Sequence, residues 1–255
     1  MTELVRARVE DRLVKLRLGA VATRLDAILS QAARAEPTYL DFLDQILSEE
    51  TDAKQKKRVV MGIQIAHFPS VKVLDDFDFK FQPSVDQKLV RELATGRFVA
   101  NADNVLLFGP PGVGKTHLAI ALGRAVVESG HSVLFVTATA LLASLSRATV
   151  EGKLAEQIAF FAKPKLLVID ELGYLPLEKQ TAHLFFQLVS RRYERGSMLI
   201  TTNQAVTQWG HVFGDDMIAA AVLDRVLHHS HVLVIQGESY RLRQKKRAGL
   251  LGSTK

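Results

Sequence analysis

Val105-Leu106-Leu107-Phe108-Gly109-Pro110-Pro111-Gly112-Val113-Gly114-Lys115-Thr116-His117-Leu118-Ala119-Ile120 decides the fold. Four apolar residues make a short buried-strand run. A glycine-rich turn follows, and then a helix-like run that continues to Val127. Residues 109–116 fit G-x-x-x-x-G-K-[ST], the phosphate-binding loop of nucleoside triphosphatases. The glycines let the backbone curl so that successive N–H groups converge on phosphate oxygens. Lys115 adds a positive charge, and the Thr116 hydroxyl is a ligand for Mg²⁺. A helix starting at this point aims its positive end at the same anion. Gly109, Pro110, Pro111, Gly112, Val113, Gly114, Lys115, Thr116 and His117 are therefore the expected nucleotide-binding residues.

Downstream of this loop, strands alternate with helices, which predicts βαβ units and a parallel sheet. The strands read as Val105–Phe108, Val133–Val136, Leu166–Asp170, Met198–Thr202 and Val232–Ile235. The third is Leu166-Leu167-Val168-Ile169 followed by Asp170 and Glu171. An apolar strand ending in acid places a carboxylate at the carboxyl edge of the sheet, where open α/β folds bind ligands. Asp170 is the expected Mg²⁺ residue, and Glu171 the base that polarises the attacking water. Asn203 ends the next strand and is placed to orient water or touch the γ-phosphate. Two roles fit Arg225: a finger that reaches the γ-phosphate of a neighbouring subunit, or an internal ion pair with Asp224. His228, His229 and His231 cluster, but no carboxylate or cysteine accompanies them at a ligand spacing, so protein-bound zinc is not expected.

The chain has 255 residues, 47% of them hydrophobic and 24% charged, with a net charge of +6 and no cysteine. That is a globular composition, and it excludes disulfides, thiolate metal sites and cysteine nucleophiles. A basic balance favours polyanionic partners. No apolar run nears the roughly 20 residues that span a bilayer, and the charged start lacks the pattern of a signal peptide. A cytoplasmic protein without membrane partners is expected.

Residues 1–68 read as a small helical domain for a partner or DNA. Leu18, Val21, Leu25 and Leu29 share one helical face. Thr38 and Asp41 form a capping pair ahead of Leu40, Leu43, Ile46 and Leu47, and Lys54-Gln55-Lys56-Lys57-Arg58 opens a third helix. The basic groups Arg6–Arg17 and Lys54, Lys56, Lys57 and Arg58 fit either a solvated face or a DNA- or partner-binding one. Residues 69–102 read as a linker, 103–243 as the nucleotide domain and 244–255 as a basic flexible tail.

These stretches together resemble the IstB-like ATPases and the related DnaC helicase loaders. The resemblance rests on the phosphate loop, on Val168-Ile169-Asp170-Glu171-Leu172-Gly173-Tyr174-Leu175-Pro176 and on Thr201-Thr202-Asn203-Gln204. Trp209, Val212-Phe213-Gly214-Asp215, Leu223-Asp224-Arg225 and Gly237-Glu238-Ser239-Tyr240-Arg241-Leu242 extend it, as do Lys15–Leu18 and Phe77-Asp78-Phe79. It implies an AAA+ ATPase of the initiator clade, using ATP and Mg²⁺: a five-stranded parallel sheet flanked by helices, a helical N-terminal domain and no C-terminal lid. By the same likeness Asn203 is the first sensor and Arg225 the arginine finger. A second sensor at Arg241 or Arg243 has no lid to carry it. An extra helix after the second strand is expected within Thr137–Phe161, with Arg147 and Lys153 placed to face DNA in a central channel. The implied role is assembly of a homo-oligomer on duplex target DNA with ATP, remodelling of that DNA, and recruitment and stimulation of a transposase encoded by the same element. A replicative helicase loader is the alternative. A small-molecule kinase fits less well, because Glu171 beside Asp170 favours water as the acceptor.

Overall fold

The structure is a computed structural model that describes residues 2–174 and 176–247. It divides into two compact units, Met1–Met61 and Gly62–Lys255.

The first unit is helical. Its helices are α1 (Thr2–Lys15), α2 (Gly19–Ala35) and α3 (Tyr39–Ile65), the last four residues of α3 being counted with the second unit. Leu13, Val21, Leu25 and Ile28 form its core, with Phe42 and Ile46 packed against them. Ile28 is buried where Leu29 was expected, and Leu29 is exposed. Thr38 caps α3: its hydroxyl accepts the Asp41 N–H at 3.2 Å and donates to the Asp41 carboxylate at 2.6 Å. Such a cap contributes about 1 kcal/mol. The basic stretch from Lys54 does not open a new helix, because α3 is continuous through it. Ser48 to Ala53 hold neither proline nor glycine, and Lys54 pairs with Glu50 one turn back at 3.4 Å. Glu50 is buried. Its carboxylate accepts the Ala20 and Val21 N–H groups at 2.9 and 3.2 Å. It thus serves as the N-terminal cap that α2's own Leu18 lacks.

The second unit holds a short 3-10 turn at Leu74–Asp76, then α4 (Gln87–Ala94) and α5 (Arg97–Ala100). There follow β1 (Asn104–Phe108), α6 (Lys115–Glu128), β2 (Val133–Thr137), α7 (Ala138–Val150), α8 (Leu154–Ala162) and β3 (Leu166–Leu172). The chain continues through α9 (Lys179–Arg192), β4 (Ser197–Thr202), α10 (Trp209–Phe213), α11 (Asp216–Leu227), β5 (Ser230–Val234) and α12 (Tyr240–Arg247). All five strands are parallel, in the order β2-β3-β4-β1-β5. Alternate side chains leave opposite faces of the sheet. Leu106, Leu167, Ile169 and Ile200 enter one core with Leu141, Phe185, Phe213 and Val222. Val105, Leu107, Val168 and Leu199 enter the other with Val90, Leu118, Leu122 and Val126. Both faces are therefore covered by helices, as near-continuous apolar strands require. The expected insertion between β2 and β3 is a helix pair, α7 and α8. Among the described residues only α12 follows β5, and no helical lid does. The basic segment from residue 244 falls partly on α12, and residues 248–255 lie outside the described residues. No helix among the described residues is long and apolar enough to cross a membrane.

At the amino edge of the sheet, Arg192 is 1% exposed. It donates to the carbonyls of Phe161 at 2.9 Å, Lys165 at 3.2 Å and Ser197 at 2.7 Å. Burial pulls its pKa down to about 10, so the group still carries its charge at neutral pH.

Candidate functional site

β1 lies between β4 and β5, so the connection from β1 to β2 crosses two strands. That switch of direction opens a crevice at the carboxyl edge, and there a cleft of about 420 Å³ is found. The phosphate loop forms its floor. Gly112 and Gly114 take φ of 83° and 103°, a region that costs a side chain strain. A Cβ on Gly114 would stand 2.7 Å from the Phe77 ring. The loop thus curls as its sequence predicts and opens α6 at Lys115. Lys115 Nζ donates to the Gly109 and Pro110 carbonyls at 2.7 and 2.8 Å. Burial holds its pKa below the ordinary lysine value; Asp170 and Glu171 oppose this and Arg241 adds to it. The half-buried ammonium is placed to exchange two carbonyls for a stronger anionic partner.

Asp170 is 4% exposed. The Thr116 hydroxyl lies 3.1 Å from each of its carboxylate oxygens. Hydroxyl and carboxylate are the hard oxygen donors that Mg²⁺ takes, so these two residues fit the metal implied by the sequence. The pair Asp170–Glu171 sits on an irregularity. Ile169 pairs with Ile200, yet Leu172 pairs with Thr202, so two residues of β3 oppose Thr201 alone. This bulge puts Glu171 at φ 64° and brings it onto the cleft wall beside Asn203. The Thr201 hydroxyl holds the bulge. It donates to Asp170 Oδ1 at 2.6 Å and accepts the Glu171 N–H at 2.9 Å.

The remaining walls come from the segment before α4 and from α12. Phe77 packs on the loop and against His117, edge to face at 5.4 Å. His117 Nε2 bonds the Val73 carbonyl at 2.9 Å, tying α6 to that segment. The Tyr240 N–H donates to the Gly112 carbonyl at 3.0 Å. The Phe81 and Tyr240 rings meet edge to face at 5.4 Å, and Arg241 lines the cleft. Arg243 instead stacks on Phe81 at 4.3 Å and pairs with Asp78 at 3.8 Å. Of the two arginines considered for a second sensor, Arg241 is the one on the cleft.

The structure brings together the loop, Asp170, Glu171 and Asn203. Arg225 is not on this cleft wall. Its guanidinium donates to the Ala221 carbonyl at 2.9 Å and lies over the Phe186 ring at 4.8 Å, so it does not turn to Asp224. Arg147, Lys153, Lys56, Lys57 and Arg58 are exposed, and Lys54 is exposed with its ammonium on Glu50. Sequence reasoning missed Thr201, Phe81 and Tyr240. Thr201 carried a signal, a hydroxyl directly after the apolar run Met198-Leu199-Ile200 of the central strand.

A phosphate loop after β1, an acidic pair after β3 and a polar end to β4, on a sheet of this order, define a P-loop nucleotide-binding protein of AAA+ type. The sequence profile described as IstB-like ATP binding protein matches residues 11–248, and the chain belongs to that family. It is 45% identical to an ATP-binding protein of insertion sequence IS21 from Pseudomonas aeruginosa, over 95% of this chain and 92% of that one. It is 41% identical to the corresponding protein of insertion sequence IS5376 from Geobacillus stearothermophilus, over 95% and 96%. Among solved structures, DnaI aligns with a TM-score of 0.53 at 23% identity, over 68% of this chain and 93% of that one. AMPPCP-bound DnaA from Aquifex aeolicus aligns at 0.54 and 18%, over 74% and 59%. At these identities the two structures bear on the fold alone.

Proposed function

We propose that this protein is a Mg²⁺-dependent ATPase that assembles on duplex DNA and recruits and stimulates the transposase of its own insertion sequence. One observation carries the enzymatic part: Glu171 lines the same cleft as the phosphate loop, and Asp170 beside it meets the Thr116 hydroxyl. Lys115 and the loop N–H groups hold the phosphates. Thr116 and Asp170 would hold Mg²⁺, which when bound would supply positive charge against the phosphate oxygens. Asn203 orients a water, and the Glu171 carboxylate takes its proton as the water oxygen bonds to the γ-phosphorus. The bond from that phosphorus to the β–γ bridging oxygen breaks, leaving ADP and phosphate. Arg225, off the cleft of its own chain, suits a role toward the nucleotide of a second copy. The exposed Arg147 and Lys153, and separately Lys56, Lys57 and Arg58, suit contacts to DNA phosphates.

Family membership and the names of the insertion-sequence relatives support the transposase as partner over a replicative helicase. Phosphate release and nucleotide titration test the enzymatic reading. Lys115→Ala is expected to lose tight ATP binding, and Glu171→Gln to bind ATP but hydrolyse it poorly. A Glu171→Gln protein with the wild-type rate overturns the base assignment. Duplex binding is expected to weaken steeply with salt on unrelated sequences; a flat slope rejects backbone recognition. Capture of the helicase, and not of the adjacent transposase, by the full chain decides for a helicase loader.

A further inference from the structure

The amino edge of the sheet carries a cluster that the nucleotide chemistry does not use. The turn between α9 and β4 presents Glu194, and the turn between α11 and β5 presents His228 and His229. One ligand atom from each of the three lies within 4.8 Å of the others, and all three residues are exposed. The sequence shows the histidines without a carboxylate at a ligand spacing. The fold supplies one from a turn far upstream in the chain.

We propose that Glu194, His228 and His229 form a binding site for a divalent transition-metal ion of Zn²⁺ type. Two imidazoles and a carboxylate are the donor set of many three-residue zinc sites, with the fourth position left to water. Bond lengths of about 2.0–2.2 Å put the ligand atoms of such a site roughly 3.4 Å apart. His229 Nε2 and Glu194 Oε1 are 4.0 Å apart, and the set as a whole lies within 4.8 Å, so rotation of the three exposed side chains is needed to close the site. The rings of His228 and His229 already lie with centroids 4.1 Å apart.

The surroundings orient the donors. Tyr193 Oη lies 2.8 Å from His228 Nδ1, and the two rings stack. In the tautomer whose Nδ1–H donates to Tyr193, His228 Nε2 keeps its lone pair for a metal. The His229 carbonyl accepts the Asn104 N–H at 2.7 Å, fixing the backbone beneath the second imidazole. A metal here would pin the end of α11, the helix that carries Arg225, to the turn before β4.

The test is calorimetric titration of Zn²⁺ into the untagged, EDTA-treated full chain, with excess Mg²⁺ present to occupy the nucleotide site. One Zn²⁺ per chain is expected. His228→Ala and His229→Ala should each weaken it by about tenfold or more, and Tyr193→Phe by a smaller factor. His211→Ala, an exposed histidine elsewhere, should leave it unchanged. Co²⁺ in place of Zn²⁺ should give visible absorption bands that vanish in Glu194→Gln or His228→Ala. Absence of binding in the wild type, or binding that all three cluster variants leave unchanged, overturns the site. Far-UV circular dichroism without metal confirms that the variants are folded, and the readout is independent of ATP turnover.

Discussion

The Thr201 hydroxyl stands 2.6 Å from a carboxylate oxygen of Asp170 and is the acceptor for the Glu171 N–H. One side chain of β4 therefore fixes both acidic residues of β3. Thr201→Val keeps the shape but removes the donor and the acceptor. Leaving the Glu171 N–H without its partner should cost about 1–3 kcal/mol of stability. Turnover should fall by about ten- to a hundredfold, as when other hydrogen bonds that orient a metal ligand are lost, with little change in ATP affinity. Thr201→Ser should restore both. If Thr201→Ser is as slow as Thr201→Val, the hydroxyl does not position the acidic pair. Steady-state phosphate release and nucleotide titration separate the outcomes.

Arg192 joins the end of α8 to the starts of β3 and β4 through three carbonyls. Arg192→Met fills much of the same volume but takes the guanidinium from two buried carbonyls, those of Phe161 and Ser197, while the Lys165 carbonyl keeps the Ser197 N–H. A loss of about 3 kcal/mol is expected, read as a lower midpoint in urea. A change below about 0.5 kcal/mol would mean that water replaces the guanidinium at that edge.

The phosphate loop, the acidic end of β3 and Asn203 were legible because each is a short local pattern. A Gly-rich turn between strand and helix has few other uses, and an apolar run that stops at Asp170 marks a sheet edge. The bulge at Asp170–Glu171 was not legible, since register is set between strands and the run from Leu166 reads as an ordinary strand. Thr201 owes its role to that register. Glu50 and Glu194 belong to the same class. Each acts on residues in a distant part of the chain, and no local spacing announces such a meeting. The continuity of α3 through Lys54–Arg58 was missed for another reason: a change from acidic to basic residues mimics a boundary, but Glu50 and Lys54, one turn apart, favour continuing the helix.

Glu50 gives the first unit a pH signature. Burial alone raises its pKa, but the N–H groups of Val21 and Ala20, with Lys54, outweigh that and hold it below the ordinary 4.5. A carboxylate with a depressed folded-state pKa stabilises above its unfolded value, and that contribution is lost as pH falls through the folded one. Glu50→Gln should therefore speed amide exchange at Ala20 and Val21 near neutrality. The gap to wild type should close as pH drops below about 4.5. Exchange rates compared at each pH check this, and a gap that persists in acid would assign the effect to shape and not charge.

Arg225 sits on α11 with its guanidinium on the Ala221 carbonyl and the Phe186 ring, away from the cleft that holds Lys115 and Glu171. Those local contacts are partly exposed, so Arg225→Ala should change stability by about 1 kcal/mol or less. ATP binding should stay nearly intact. Hydrolysis should collapse by roughly 10³ or more if the residue acts as other arginine fingers do. A role in trans makes a sharper forecast. Mixing Arg225→Ala chains with Lys115→Ala chains should recover activity that neither has alone, since each brings the half-site that the other lacks. Phosphate release measured across mixing ratios should peak between the pure samples. A flat line at every ratio rejects the trans role. A loss of thermal stability in step with the loss of turnover would show that Arg225 serves only to hold α11 against Phe186.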